Sequence, residues 1–216
     1  MQYLFLIIFF VATSIHLYAS WQTNQELRNK SKPLIVLSLI GYYCFATKRI
    51  DITVILALFF SWVGDILLMG KTPKSFSLGG GSFLLSHLFF ILSYIQYTNF
   101  SNVPKYLFVI LPIFFISAVL IIFKYLKPYL TQKEFKPMMF YLFINGMMNC
   151  FAWFMAFSRI GGIAWITAIG AFSFFVADTI LFFVRFDKNS PIKTHFSVMF
   201  FYSLAQFLIV LGLVLA

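Results

Sequence analysis

The sequence predicts an all-α integral membrane protein with eight transmembrane helices, and three observations carry that reading. Hydrophobic residues make up 62% of the 216-residue chain and charged residues only 10%, against about 25% charged in soluble domains. Apolar runs recur along the whole chain at about 20 residues, the length that crosses about 30 Å of hydrocarbon as a helix. Lysine and arginine alternate in density from one connection to the next, as they do in multi-pass proteins. Period-2 alternation, the mark of a membrane barrel, is absent. Residues 1–216 therefore read as a single polytopic membrane domain.

The spans fall at 2–20, 33–47, 52–70, 76–97, 105–124, 136–157, 163–184 and 194–215. The first, opening MQYLFLIIFF, has no basic leader and no clear small-x-small cleavage site before Trp21, so it reads as a retained span and not a signal peptide. The second is short and opens at Lys32-Pro33; the sixth opens at Lys136-Pro137. The fourth begins near Gly79-Gly80-Gly81, which lets helices pack closely or lets a headgroup approach the backbone. Cys44 and Cys150 both lie in apolar stretches and form neither a disulfide framework nor a Cys-x-x-Cys site, so they read as packing residues.

Connections one, three, five and seven carry twelve of the sixteen basic residues: Arg28, Lys30, Lys32, Lys71, Lys74, Lys124, Lys127, Lys133, Lys136, Arg185, Lys188 and Lys193. Connections two, four and six carry only Lys48, Arg49, Lys105 and Arg159. This asymmetry puts both termini outside and the odd connections in the cytoplasm; a bacterial inner (cell) membrane is the expected location. It also explains the net charge of +10 without nucleic acid, for which no basic helix or aromatic platform is present.

Of six acidic residues, Glu26, Asp51, Glu134 and Asp187 sit in polar connections. Asp65, in FFSWVGDILLMG, and Asp178, in AFSFFVADTILFF, do not. A carboxylate inside a spanning helix costs about 2.5–3.5 kcal/mol or more, so such groups are rare and usually functional. Asp65 precedes Lys71 by six residues and Asp178 precedes Arg185 by seven. At about 1.5 Å per residue both carboxylates lie roughly 9–10 Å inside the cytoplasmic end of their helices, level with each other and facing the cytoplasmic leaflet.

The halves of the chain resemble one another. Val63-Gly64-Asp65-Ile66-Leu67-Leu68 matches Val176-Ala177-Asp178-Thr179-Ile180-Leu181, Lys32-Pro33 matches Lys136-Pro137, and Ser86-His87-Leu88-Phe89 matches Ala205-Gln206-Phe207-Leu208. One reading is a 4+4 parallel repeat about an axis along the membrane normal, with the two acids as symmetry mates. The other is coincidence, since Lys and Pro are common at cytoplasmic helix ends.

Polar groups at membrane depth make a short list: Asp65, His87, Asn145, Asn149, Asp178, Tyr202 and Gln206, with His16 near the inner end of the first span. The acids either lock helices through hydrogen bonds or form a pair sharing one site, one protonated and one ionised, the equipment of general acid–base catalysis. His87, by itself, reads first as a hydrogen-bond partner. Two Asp and one His would suit a metal, but Glu-x-x-His and His-x-x-x-His spacings are absent, so no metal or other cofactor is expected. Lys32 marks topology or holds a lipid phosphate at the rim. No Gly-x-Ser-x-Gly elbow, His-Glu-x-x-His or P-loop pattern occurs, which disfavours serine hydrolase and ATPase chemistry.

Lys32-Pro33-Leu34, Gly64-Asp65, Phe76-x-x-Gly79, Phe83-x-x-x-His87, Ala177-Asp178 and Tyr202-x-x-Ala205-Gln206 occur in that order. Together they resemble the YhhN-like membrane family, whose characterised members are lysoplasmalogenases. The match departs at Ala177, where the family often has Ser, and at Phe90, where it often has Tyr. The resemblance implies hydrolysis of the vinyl ether of a lysoplasmalogen, a single-chain lysophospholipid, to a fatty aldehyde and glycerophosphocholine or glycerophosphoethanolamine. Protonation of the vinyl β-carbon leaves an oxocarbenium ion that water captures, as two carboxylates achieve in glycosidases. Asp65 and Asp178 would then be catalytic, His87, Gln206, Tyr202 and Asn145 supporting or water-positioning, and Lys32 the phosphate ligand. Which Asp is the acid stays open, since their flanks are nearly identical. A proton-coupled or lipid transporter is the rival. Two features count against it: the acids lie off the midplane, and few spans are broken by Gly or Pro.

Overall fold

Apolar helix-forming runs separated by capping residues dictate the secondary structure. The computed structural model describes residues 1–70, 72–159, 162–187 and 195–215. Among them run eight α-helices and no strand: α1 (Gln2–Trp21), α2 (Gln25–Ala46), α3 (Ile52–Leu68), α4 (Pro73–Tyr97), α5 (Leu107–Leu126), α6 (Gln132–Ser158), α7 (Ile163–Phe186) and α8 (His195–Leu215). Asn24 caps α2 by accepting from the Leu27 amide, Asp51 caps α3 from Thr53, and Thr72 caps α4 from Ser75. These side chains satisfy backbone donors that a helix start leaves open. Thr131 and Glu134 form a reciprocal capping box at α6. Lys71, Lys188 and Lys193 of the topology count, and residue 194 of the eighth expected span, lie outside the described residues.

Two helices start earlier than the Lys-Pro pairs suggest. Pro33 and Pro137 both sit inside their helices. Asn24 and the Thr131–Glu134 box hold the turns ahead of them. Proline removes a single backbone donor, and each helix passes straight through. The Trp62 indole of α3 donates to the Pro33 carbonyl at 3.0 Å, tying the two helices at that point.

Among the described residues six helices are long and apolar enough to cross a membrane: α1, α4, α5 with its following turn, α6, α7 and α8. α3 is apolar but has 17 residues, about 25 Å of helix. α2 begins with polar turns over residues 25–32. The chain is a multi-pass membrane protein. Its outer face is apolar, with Ile113, Ile116, Leu120 and Ile121 of α5 all exposed.

Six helices close into a ring in the order α2, α3, α4, α6, α7, α8 and back to α2. α1 packs outside on α2 and α8, and α5 packs outside on α6 and α7. Close approach needs small residues where lipid offers no hydrophobic drive. At Gly170 of α7 an added Cβ would stand 2.8 Å from the Ile209 amide nitrogen of α8. On α3, Gly64 faces the Phe83 ring of α4 in the same way. Polar contacts add to this packing: Ser82 Oγ of α4 donates to the Phe60 carbonyl at 2.6 Å, and Ser61 and Ser86 hydroxyls meet at 2.7 Å. The polar core lies inside the ring.

Candidate active site

The ring encloses both intramembrane acids. Asp65 is 2% and Asp178 6% exposed, and they line one cavity of about 120 Å³ with Lys32, Phe83, Ala177 and Tyr202. Buried carboxyl groups demand partners; Asp65 finds them on two other helices and Asp178 on one.

On Asp65 the donors divide between the two oxygens. Lys32 Nζ of α2 lies 3.3 Å from Oδ1. The Tyr202 hydroxyl of α8 donates to Oδ2 at 2.7 Å. One turn along α8, Gln206 Nε2 reaches Ser61 Oγ at 3.0 Å and the Tyr202 oxygen at 3.4 Å, which holds the phenol in place. The spacing of Tyr202 and Gln206 puts both on the same helix face.

On Asp178 the donors converge. The Tyr141 hydroxyl and Asn145 Nδ2, both of α6, reach the same oxygen, Oδ2, at 2.6 and 2.7 Å. Asn149, one turn further, donates to Asn145 Oδ1 at 3.1 Å, so the Asn145 amide group must turn its nitrogen to the acid. His87 Nε2 of α4 lies 3.8 Å from the same Oδ2, beyond hydrogen-bond reach. Its ring is instead held edgewise against Tyr141 and Phe174, with centroids at 5.2 and 4.9 Å, and both ring nitrogens are buried without a hydrogen-bond partner. Phe83, Phe174 and Tyr202 pack edge to face around the cavity.

The cavity continues past the acids to one end of the bundle, where Arg28, Arg185, His195 and Phe76 also line it. Two larger grooves, of about 300 and 270 Å³, lie between α5 and α6; apart from Lys136 at one end they are apolar, and neither holds an acid. Among the described residues no cluster of three or more His, Cys, Asp or Glu has the arrangement of a metal site.

Asp65, Asp178, Lys32 and Tyr202 thus meet at one cavity. Asn145 touches an acid directly, Gln206 acts through Tyr202, and His87 stands beside Asp178. His16 lies apart, bonded through Nδ1 to Ser31 Oγ at 3.0 Å, where it ties α1 to α2. Sequence reasoning missed Tyr141. The signal was available: Tyr141, Asn145 and Asn149 form a polar stripe at four-residue spacing on an otherwise apolar helix. It also counted Arg28 and Arg185 only as topology markers.

No curated protein and no solved structure matches the chain. A family model does, across residues 27–213, a stretch that takes in every group lining the cavity. On that match the chain belongs to the YhhN family.

Proposed function

We propose that the protein hydrolyses the vinyl ether of lysoplasmalogens, with Asp178 as general acid and Asp65 as the carboxylate that stabilises the cation and activates water. The observation that carries this reading is the unlike bonding of two acids in one cavity. Both oxygens of Asp65 accept from donors, one of them an ammonium, as suits a carboxylate. Both donors on Asp178 go to Oδ2, which leaves Oδ1 as the oxygen to carry a proton.

In this reading Asp178 transfers its proton to the vinyl β-carbon. The C=C pair forms the new C–H bond, and positive charge spreads over the α-carbon and ether oxygen. The Asp65 carboxylate opposes that charge and takes a proton as water adds to the α-carbon. The hemiacetal then breaks its bond to the glycerol oxygen. Asp65 returns its proton to that oxygen and Asp178 recovers one from the hemiacetal hydroxyl, which resets both acids. The products are a fatty aldehyde and a glycerophospho-alcohol. Lys32, offered by the sequence as a phosphate ligand, serves here as the counter-ion of Asp65.

Eight spans with both termini outside and the acids toward the cytoplasmic leaflet belong to the same proposal. So does a 4+4 repeat pairing α1–α4 with α5–α8. The repeat is supported by the helix contacts, because α2·α3, α3·α4 and α4·α6 have counterparts in α6·α7, α7·α8 and α8·α2. It is supported again by the acids: Asp65 is met from α2 and α8, Asp178 from the matching α6 and α4.

Aldehyde release from a lysoplasmalogen, compared with its saturated ether analogue, tests the reaction in purified protein. Aldehyde is expected from the vinyl ether alone, with a loss of at least about a hundredfold on Asp65→Asn or Asp178→Asn. Full activity in either variant would sink the two-acid mechanism. Binding of the lipid without aldehyde would move the reading to transport.

A further inference from the structure

The mouth of the acid-lined cavity has a composition that hydrolysis of the ether bond does not require. Arg28 enters it from the first turns of α2, Arg185 from the last turn of α7 and His195 from the first residue of α8. Arg28, Lys32 and Arg185 all lie within electrostatic reach of His195. Like charges brought together repel, and of the three cations Asp65 offsets only Lys32.

Two details indicate where an anion would sit. Among the described residues the Arg28 Nε is buried without a hydrogen-bond partner while Nη1 donates to Gln25 Oε1 at 3.4 Å, and folded proteins rarely keep such an unmet donor. The Arg185 guanidinium carbon lies over the Phe76 ring, 5.0 Å from its centroid, a cation–π contact that uses none of its N–H donors. Lys32 is committed elsewhere, to Asp65 at 3.3 Å.

We propose that Arg28 and Arg185, with His195 beside them, form a binding site for a phosphate ester, the headgroup phosphate of a single-chain lipid. Planar guanidinium groups match the oxygen geometry of phosphate better than an ammonium does. The spacing along the helices also suits a glycerolipid. Arg185 follows Asp178 by seven residues and His195 precedes Tyr202 by seven, so the basic rim stands about 10 Å from the acid layer. A glycerol backbone bridges about that gap, which sets the ether bond at the acids. The site extends the proposed hydrolase reading by selecting phospholipids over neutral ethers, and it rests on that reading only for the identity of its lipid.

Equilibrium binding to the purified protein, without turnover, separates the two. The probes are a saturated alkyl-ether lysophosphatidylethanolamine and the alkyl glycerol of equal chain length, neither of which carries a vinyl ether. The wild type is expected to prefer the phospholipid by at least about tenfold. Arg28→Gln and Arg185→Gln are each expected to cut that preference by about tenfold, the scale of a charge-assisted contact, with Arg28→Lys and Arg185→Lys keeping part of it. Melting temperatures identify any variant that fails to fold, and the lysine pair then carries the comparison. Inorganic phosphate is the third probe: arginine-dependent binding of it without the lipid would keep the phosphate site but overturn the lipid headgroup. Equal wild-type affinity for both lipids, or a preference that survives both glutamine substitutions, would overturn the site. Failure of aldehyde release alongside a retained arginine-dependent preference would reject the hydrolase and leave the phosphate site standing.

Discussion

Lys32 Nζ lies 3.3 Å from Oδ1 of Asp65, and this contact breaks the likeness of two acids whose flanking sequences are almost the same. Asp178 receives a phenol and an amide from α6, both on one oxygen. The proposed division of labour follows from that difference, and it makes the two Asp→Asn variants inequivalent in a measurable way.

With Asp65→Asn, protonation of the vinyl β-carbon by Asp178 still takes place, but capture by water slows. The oxocarbenium ion, free to turn about its Cα–Cβ bond, then gives one of its two β-hydrogens to Asp178 more often than it proceeds. Loss of the original one leaves the delivered one on carbon. In deuterium oxide, lysoplasmalogen recovered from incubation with Asp65→Asn should carry deuterium at the vinyl β-carbon. Substrate recovered from Asp178→Asn should carry none, because no proton is delivered. Mass spectrometry of the residual lipid reads both results, and the reverse pattern would exchange the roles of the two acids.

Removing the cation should be costly in its own right. Lys32→Met leaves Asp65 without its charged partner in a buried setting, a change that typically destabilises by about 3–5 kcal/mol. The variant is expected to melt at lower temperature and to lose at least about tenfold in kcat, while Lys32→Arg keeps more of both. Thermal unfolding in detergent and initial rates of aldehyde release check the pair. A Lys32→Met protein with wild-type rate would remove the ammonium from the mechanism.

The two tyrosines that donate to the acids allow a sharper comparison. Tyr202→Phe takes a donor from Oδ2 of Asp65, and Tyr141→Phe takes one of two donors from Oδ2 of Asp178. A hydrogen bond to a charged group contributes about 1.5–3 kcal/mol and one between neutral groups about 0.5–1.5. The Tyr202 variant should therefore lose about tenfold to a hundredfold in rate and the Tyr141 variant about tenfold or less. Equal losses would indicate that the two acids carry the same charge.

These residues also show how far the sequence could be read. Asp65 and Asp178 stood out because an ionisable group in an apolar run has no structural excuse, and Tyr202 and Gln206 because they are polar at membrane depth and fall in one piece of the family resemblance. Tyr141 was passed over although it stands four residues before Asn145: in a chain with 31 Phe and 11 Tyr a tyrosine reads as packing, and its hydroxyl lies 2.6 Å from Asp178. Arg28 and Arg185 were legible only as charges at helix ends, since their convergence depends on α8 closing the ring against α2, a contact between parts of the chain far apart in sequence. The helix starts at Gln25 and Gln132 were masked by the Lys-Pro pairs, because proline usually marks the first turn and here lies deeper.

That ring closure rests on small residues, and Gly170 is where it should fail first. A Cβ at this position would meet the Ile209 amide nitrogen at 2.8 Å and the Ala205 carbonyl oxygen at 3.0 Å, both backbone atoms that cannot turn aside. Gly170→Val must therefore push α7 and α8 apart. Overpacking of this kind costs about 1–3 kcal/mol. The displacement also acts on the site, because α7 carries Asp178 and α8 carries Tyr202 on the two sides of the cavity. Gly170→Val is expected to lower the melting temperature and to reduce kcat together, although it touches neither acid. Gly80→Val is the control, since a Cβ at Gly80 meets nothing within 4 Å and should leave both measurements near wild type. If the two valine variants behave alike, close packing of α7 on α8 is not what holds the acids in register.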